Sequence, residues 1–200
     1  GAATAAVARW RGVLRFLLAN RLEVPVLKPK APLEAWDRWW WQRCNETAQA
    51  VVDACALGQT GTAVTLAQTF GDEFSAVALG AWKDRLYCAP SSTLERQRLD
   101  VVVRGCLGAW AWMLSVLAPR LVSEALEHGL NQGFGLQQAP GLSPQEAQEV
   151  KDVLDARAAL SQASEALSLA KVPPGRRHVA WGLAPSWPEN LLADALDVAE

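Results

Sequence analysis

Apolar positions recur every three or four residues along most of the chain, which predicts helices rather than strands. Residues 4–20 alternate apolar and Arg positions and stop at Asn20. Pro25, Pro29 and Pro32 predict an extended linker, since each fixes φ and removes a donor. A long helix is expected from about Pro32 to Leu57, with Trp36, Trp40, Cys44, Thr47, Val51 and Cys55 on one face. Gly58 and Gly61 break it. A third helix is predicted over about Thr62–Trp82 through Leu66, Phe70, Phe74 and Val77, followed by a turn over Lys83–Ser92. Thr93-Leu94-Glu95 starts a fourth, whose inward stripe is Leu99, Val103, Cys106, Trp110, Leu114 and Leu117. Pro119 ends or kinks it, with a further turn or two up to His128.

Residues 129–143 are rich in Gly and Gln and read as a loop. Ser143-Pro144-Gln145-Glu146 reads as a capping box and opens a fifth helix to about Ala170. Val172-Pro173-Pro174-Gly175 stops it, and the last 25 residues suit a short strand over Arg177–Leu183 and a short helix from Pro188. The expected organisation is a helical bundle over 1–128, a loop over 129–143, and a helix plus small appendage over 144–200. The fold class is all-α, an antiparallel bundle with a small C-terminal extension.

Composition narrows this. Half of the 200 residues are apolar, enough for one sizeable core. With 19 basic and 21 acidic groups, the chain lacks the charge excess of a bulk-electrostatic nucleic-acid binder. The charge is uneven: residues 1–120 hold 14 basic and 10 acidic groups, net +4, and residues 121–200 hold 5 and 11, net −6. Arginine outnumbers lysine 14 to five and Ile is absent, a pattern of GC-rich coding that leaves ten Trp unexplained. The basic, acid-free first 22 residues fit either a mitochondrial transit peptide or a basic first helix. The chain opens on Gly1 rather than Met, which fits either a processed terminus or a cut boundary. No run reaches the ~18 apolar residues of a membrane span.

Chemistry-bearing motifs are scarce. There is no phosphate loop, GxGxxG, GxSxG or HExxH. Two His and one Tyr leave few acid–base candidates, so the chain is read as no enzyme, with no cofactor. Cys44, Cys55, Cys88 and Cys106 form no CxxC pair, and His128 and His178 lie far from them, so no metal site is expected. The four read as free thiols of a reducing compartment.

One block carries a resemblance. Glu73, Ser75 and Leu79 followed by Lys83-Asp84-Arg85-Leu86-Tyr87-Cys88 resemble the anticodon-binding helical bundle of class I isoleucyl-tRNA synthetases. Three flanking blocks agree in order: Leu14-Arg15-Phe16-Leu17-Leu18-Ala19-Asn20, then Asp37-Arg38-Trp39 with Arg43 and Asn45-Glu46, then Leu117-Ala118-Pro119. The resemblance covers about 8–128 and continues weakly beyond. The catalytic fold with its HIGH and KMSKS signatures, the editing domain and the zinc module are absent from the sequence. Arg120-Leu121-Val122-Ser123-Glu124 departs from the family's Phe-Thr-Ala-Glu-Glu run, and Ala78 stands where the family has an aromatic. The resemblance favours a folded basic helix over a presequence.

Two functions follow. One is a non-catalytic, synthetase-derived subunit of a larger assembly, such as a mitochondrial ribosome or respiratory complex, with mitochondrial localisation as the expectation and cytoplasmic otherwise. The alternative is a tRNA- or rRNA-binding domain, alone or as part of a functional isoleucyl-tRNA synthetase. Candidate RNA contacts are Arg9, Arg11, Arg15, Arg21, Lys83 and Arg85, where each cation on a phosphate adds salt-dependent affinity. Arg15 could instead pair with Asp37 or Asp84. The candidate partner interface is Trp41 with Val101, Gly105, Gly108 and Trp112. Trp41 lies roughly 140° from Trp36, and Trp112 roughly 160° from Trp110, at 100° per residue. That gives the fourth helix a second small-and-apolar face, buried either inside the chain or against a protein partner.

Overall fold

The computed structural model describes residues 2–25, 32–129 and 135–169. Among the described residues the chain is all helix: α1 (Ala2–Ala19), α2 (Ala35–Ala56), α3 (Thr60–Glu73), a π-helical turn (Phe74–Ala78), α4 (Leu79–Tyr87), α5 (Leu94–Leu117), α6 (Pro119–Glu127) and α7 (Pro144–Leu169). The all-α bundle is as expected, while the strand over 177–183 and the helix from Pro188 lie outside the described residues. Two compact units divide at Gly141 and Leu142, the first holding α1–α6 and the second α7.

Helix α5 is the centre of the first unit. It buries Leu99, Val103, Cys106, Trp110 and Leu114 on one side, and Gly105, Gly108 and Ala111 as well. By length and composition α5 could cross a membrane, yet 72% of its most apolar stretch is buried within this chain, as a central bundle helix requires. The Thr93 side chain caps it, its Oγ1 accepting from Arg96 N at 3.3 Å. Non-helical backbone at Ala118 ends it, and Pro119 takes the first turn of α6, where its missing N–H costs nothing.

Helix α2 packs against both α5 and α3. Its buried seam is Trp36, Trp40, Cys44, Ala48, Val51 and Ala54, so Ala48 and Ala54 replace the expected Thr47 and Cys55. Both sets fit a 100° step, and the two alanines let the neighbouring helices approach more closely. On α3 the seam is Ala63, Ala67, Phe70 and Gly71, leaving the expected core residue Leu66 partly exposed. Trp10 of α1 sets this rotation. Its Nε1 donates to the Ala67 carbonyl at 3.3 Å, and a Cβ on Gly71 would lie 3.6 Å from Trp10 Cδ1 and 3.2 Å from Trp110 Cη2.

The expected third helix starts at Thr60 rather than Thr62, and its turn over 83–92 is corrected too. The helix passes through the π-helical turn and continues as α4 to Tyr87. Lys83-Asp84-Arg85-Leu86 contains no helix breaker, and the Cys88 N–H closes the last turn on the Asp84 carbonyl at 2.8 Å. Around the π turn, Phe74 meets Trp40, Phe70, Trp82 and Trp110 with ring centroids 5.5–5.8 Å apart. Each such pair adds about 0.5–1.5 kcal/mol beyond burial. The surplus of Trp is therefore largely core: Trp10, Trp36, Trp40, Trp41, Trp82 and Trp110 are all buried.

One ionic cluster ties α2 to α4. Asp37 is fully buried and accepts from Arg85 Nη1 at 2.9 Å and Nη2 at 2.8 Å, and from Trp82 Nε1 at 2.9 Å. Three charge-assisted bonds offset the cost of burying the carboxylate. In the second unit, the capping box forms as the sequence implies. Glu146 Oε2 accepts from Ser143 N and Oγ at 2.9 and 3.0 Å, while Ser143 Oγ accepts from Glu146 N at 3.2 Å.

Candidate nucleic-acid interface

The basic residues of α1 divide by helical register. Arg11 and Arg15 are one turn apart and share a face. Both clamp Glu124 of α6: Arg11 Nε donates to Oε2 at 3.1 Å and Arg15 Nη2 to Oε1 at 3.0 Å. Burial raises the Glu124 pKa, but the Arg15 and Arg11 bonds and charges outweigh it and leave the carboxyl below its ordinary value. Two guanidiniums against one carboxylate leave this patch with an excess positive charge. Arg9 pairs instead with Asp72 on α3. Arg21, just past α1, donates Nε to the Leu18 carbonyl at 3.2 Å and Nη1 to the Gly129 carbonyl at 2.8 Å. Arg15 therefore meets neither Asp37 nor Asp84.

Exposure decides what these cations can do. The Arg15 side chain is 70% exposed, and those of Arg9 and Arg11 about half. Exposed pairs of this kind are worth about 0–1 kcal/mol, so a phosphate can displace the carboxylate at little cost. Lys83 on α4 is exposed, and no ion pair ties it down among the described residues. Arg85 is different. Its side chain is largely buried and forked onto Asp37, so the structure places it in the bundle's ionic cluster, whereas the sequence reading named it as an RNA contact.

One aromatic escapes the sequence reading. Tyr87, one turn beyond Lys83, is 64% exposed and is braced edge-on by Phe16 of α1, with centroids 6.2 Å apart. An exposed ring beside a cation is the arrangement on which single-stranded bases stack. A second omission is the run Arg96, Asp100, Arg104 on α5. Its four-residue spacing was readable and places all three on one face.

The expected partner face closes largely on itself. Trp41 is buried with its ring against the Gly105 backbone, where a Cβ would overlap Cε2 and Nε1. Gly108 is also buried, while Val101 and Trp112 are half-buried. Trp41 and Gly105 thus satisfy each other inside the chain, because the missing side chain at 105 makes the slot the indole fills. They are not available to a protein partner.

No group of three or more His, Cys, Asp or Glu able to hold a metal occurs among the described residues. The four cysteines are unbridged.

Comparison with known proteins fits this arrangement. The family described as the anticodon-binding domain of tRNA ligases matches residues 37–171, a span that opens on the buried Asp37. An isoleucine–tRNA ligase of Nautilia profundicola is 30% identical over 150 residues, covering 71% of this chain. The chain spans only 14% of that relative's length. With this match, the chain, an all-α bundle, belongs to the family of tRNA ligase anticodon-binding domains.

Proposed function

We propose that the chain is the tRNA-binding module of an isoleucine–tRNA ligase, without catalytic chemistry of its own. The observation that carries this reading is the 30% identity to an isoleucine–tRNA ligase over 150 residues. The geometry lends support on two sides of α1. Arg11 and Arg15 gather an excess charge on α1, and α4 offers Lys83 and the exposed Tyr87 ring, which touches Phe16 of α1. The cations meet the backbone and Tyr87 stacks on an unpaired base.

Glu124→Gln tests the Arg11 and Arg15 side directly, because it frees both without adding a cation. Binding of a fluorescent tRNA, read by anisotropy, is expected to tighten several-fold in Glu124→Gln and to weaken in Lys83→Gln and Tyr87→Ala. Unchanged affinity in all three contradicts the placement.

A second reading is favoured by the internal pairing of Arg9, Arg11 and Arg15, which lowers the free positive charge. In it the bundle is a structural subunit of a larger, mitochondrial assembly that contacts protein. Loss of tRNA binding together with co-purification in such an assembly would support that reading.

A further inference from the structure

Where the chain leaves α1 it passes beside α5 and borders a half-open cavity of about 380 Å3, lined by Arg21, Arg104, Leu22, Glu23 and Gly129 among others. Arg104 Nε donates to Asp100 Oδ2 at 2.8 Å, and its Nη2 donates to the Leu22 carbonyl. The Leu22 N–H donates to Asp100 Oδ1 at 2.7 Å. Beside them Arg96, more than nine-tenths buried, gives Nη2 to the Asn20 carbonyl at 2.5 Å, and its Nη1 is buried without a partner.

The choice of acceptors matters. Arg21 is held by the Leu18 and Gly129 carbonyls, Arg96 by Asn20 and Arg104 partly by Leu22. Carbonyls aim a guanidinium but bring no full negative charge. Arg21 and Arg104 line the cavity and Arg96 lies behind its Asn20–Leu22 edge; against these three stand Glu23 and the fully buried Asp100, which leaves one excess positive charge. Burial first, then the neighbouring Arg104, weaken the hold of Arg21 on its proton, against the opposing pull of Asp100. Forked, preoriented guanidiniums in a polar hollow suit a tetrahedral oxyanion.

We propose that this cavity is an anion site that takes a phosphate group and, resting on the tRNA reading above, that the phosphate belongs to an RNA backbone. The test uses the full chain as wild type, Arg21→Gln and Arg21→Lys, with inorganic phosphate and a tRNA as probes at fixed ionic strength. Phosphate is expected to raise the Tm of wild type and Arg21→Lys more than that of Arg21→Gln. It is also expected to shift the Leu22 and Gly129 amide resonances of the wild type, a readout that needs no variant to fold. For tRNA, Arg21→Gln should lose about tenfold in affinity, and its log–log salt slope should fall by about 0.9. Phosphate that shifts neither amide, with equal tRNA affinity in wild type and Arg21→Gln, overturns the site while leaving the tRNA reading intact. Phosphate that shifts both amides in a chain that binds no tRNA upholds the anion site and sinks its RNA source.

Discussion

The Trp41 indole occupies the space that a side chain at Gly105 would need. This contact locks α2 onto α5, the two helices at the heart of the bundle. Gly105→Ala should therefore destabilise the chain, although Ala is the better helix former by about 1 kcal/mol. Overpacking typically costs about 1–3 kcal/mol, and so deep an overlap with the indole belongs at about 2–3, which leaves a net loss of about 1–2 kcal/mol in urea unfolding. In a Trp41→Leu background the same change should be neutral or mildly stabilising, a non-additivity characteristic of direct contact. A Gly105→Ala protein as stable as wild type would contradict the packing.

Two of the three tryptophans around Phe74, Trp40 and Trp82, should respond differently to replacement by Phe. Trp82 donates to the buried Asp37, while the Trp40 indole N–H is buried without a partner. Trp82→Phe leaves a buried carboxylate one donor short, for about 1–3 kcal/mol beyond the lost ring volume. Trp40→Phe should lose only packing. Arg85→Ala should cost most, about 3–5 kcal/mol, because it strands a buried charge. Thermal unfolding of the three variants ranks them, and a Trp40→Phe protein weaker than Trp82→Phe would break the ranking.

Acid should loosen the α1–α6 clamp. The folded Glu124 carboxyl titrates below its unfolded value of about 4.3. Its contribution is therefore full above that value and is lost as pH falls through the lower folded pKa. Side-chain carboxyl NMR should show the Glu124 titration moving upward in Arg11→Gln/Arg15→Gln. An unmoved midpoint would show that the clamp does not form in solution.

The thiols should react in order of exposure. Burial first, then the neighbouring Cys44 thiol and the Asp37 charge, push the Cys106 pKa well up. A thiol raised in the fold favours the folded state fully below its unfolded pKa, and that advantage fades as pH rises above it. Under native conditions at pH 8, a disulfide reagent should label exposed Cys88 first and half-buried Cys55 next. Cys44 and Cys106 should react only on unfolding. Rapid native labelling of Cys106 would contradict its burial.

Local periodicity made most helices legible, because apolar stripes on α2, α3 and α5 report burial one turn at a time. The π turn was hidden for the same reason: Phe70, Phe74 and Val77 keep ordinary helical spacing while the backbone adds its wider turn. Tertiary partners were less readable. The sequence singled out both Trp41 and Gly105 but could not tell that they fill each other's space, since 64 positions separate them. Likewise Arg11 and Arg15 stood out as cations, but Glu124, their shared counter-charge, lies over 100 residues away. Arg85 read as a surface cation because nothing local reveals that Asp37 is fully buried.

The central claim is that this bundle grips tRNA through its backbone charge. The direct measurement is the wild-type affinity for a tRNA across a series of KCl concentrations. Contacts from Arg11, Arg15, Lys83 and Arg21 predict micromolar or tighter binding and a log–log slope near −3 to −4, at about 0.9 per phosphate for duplex regions and less for single strands. Absent binding, or an affinity indifferent to salt, would contradict it.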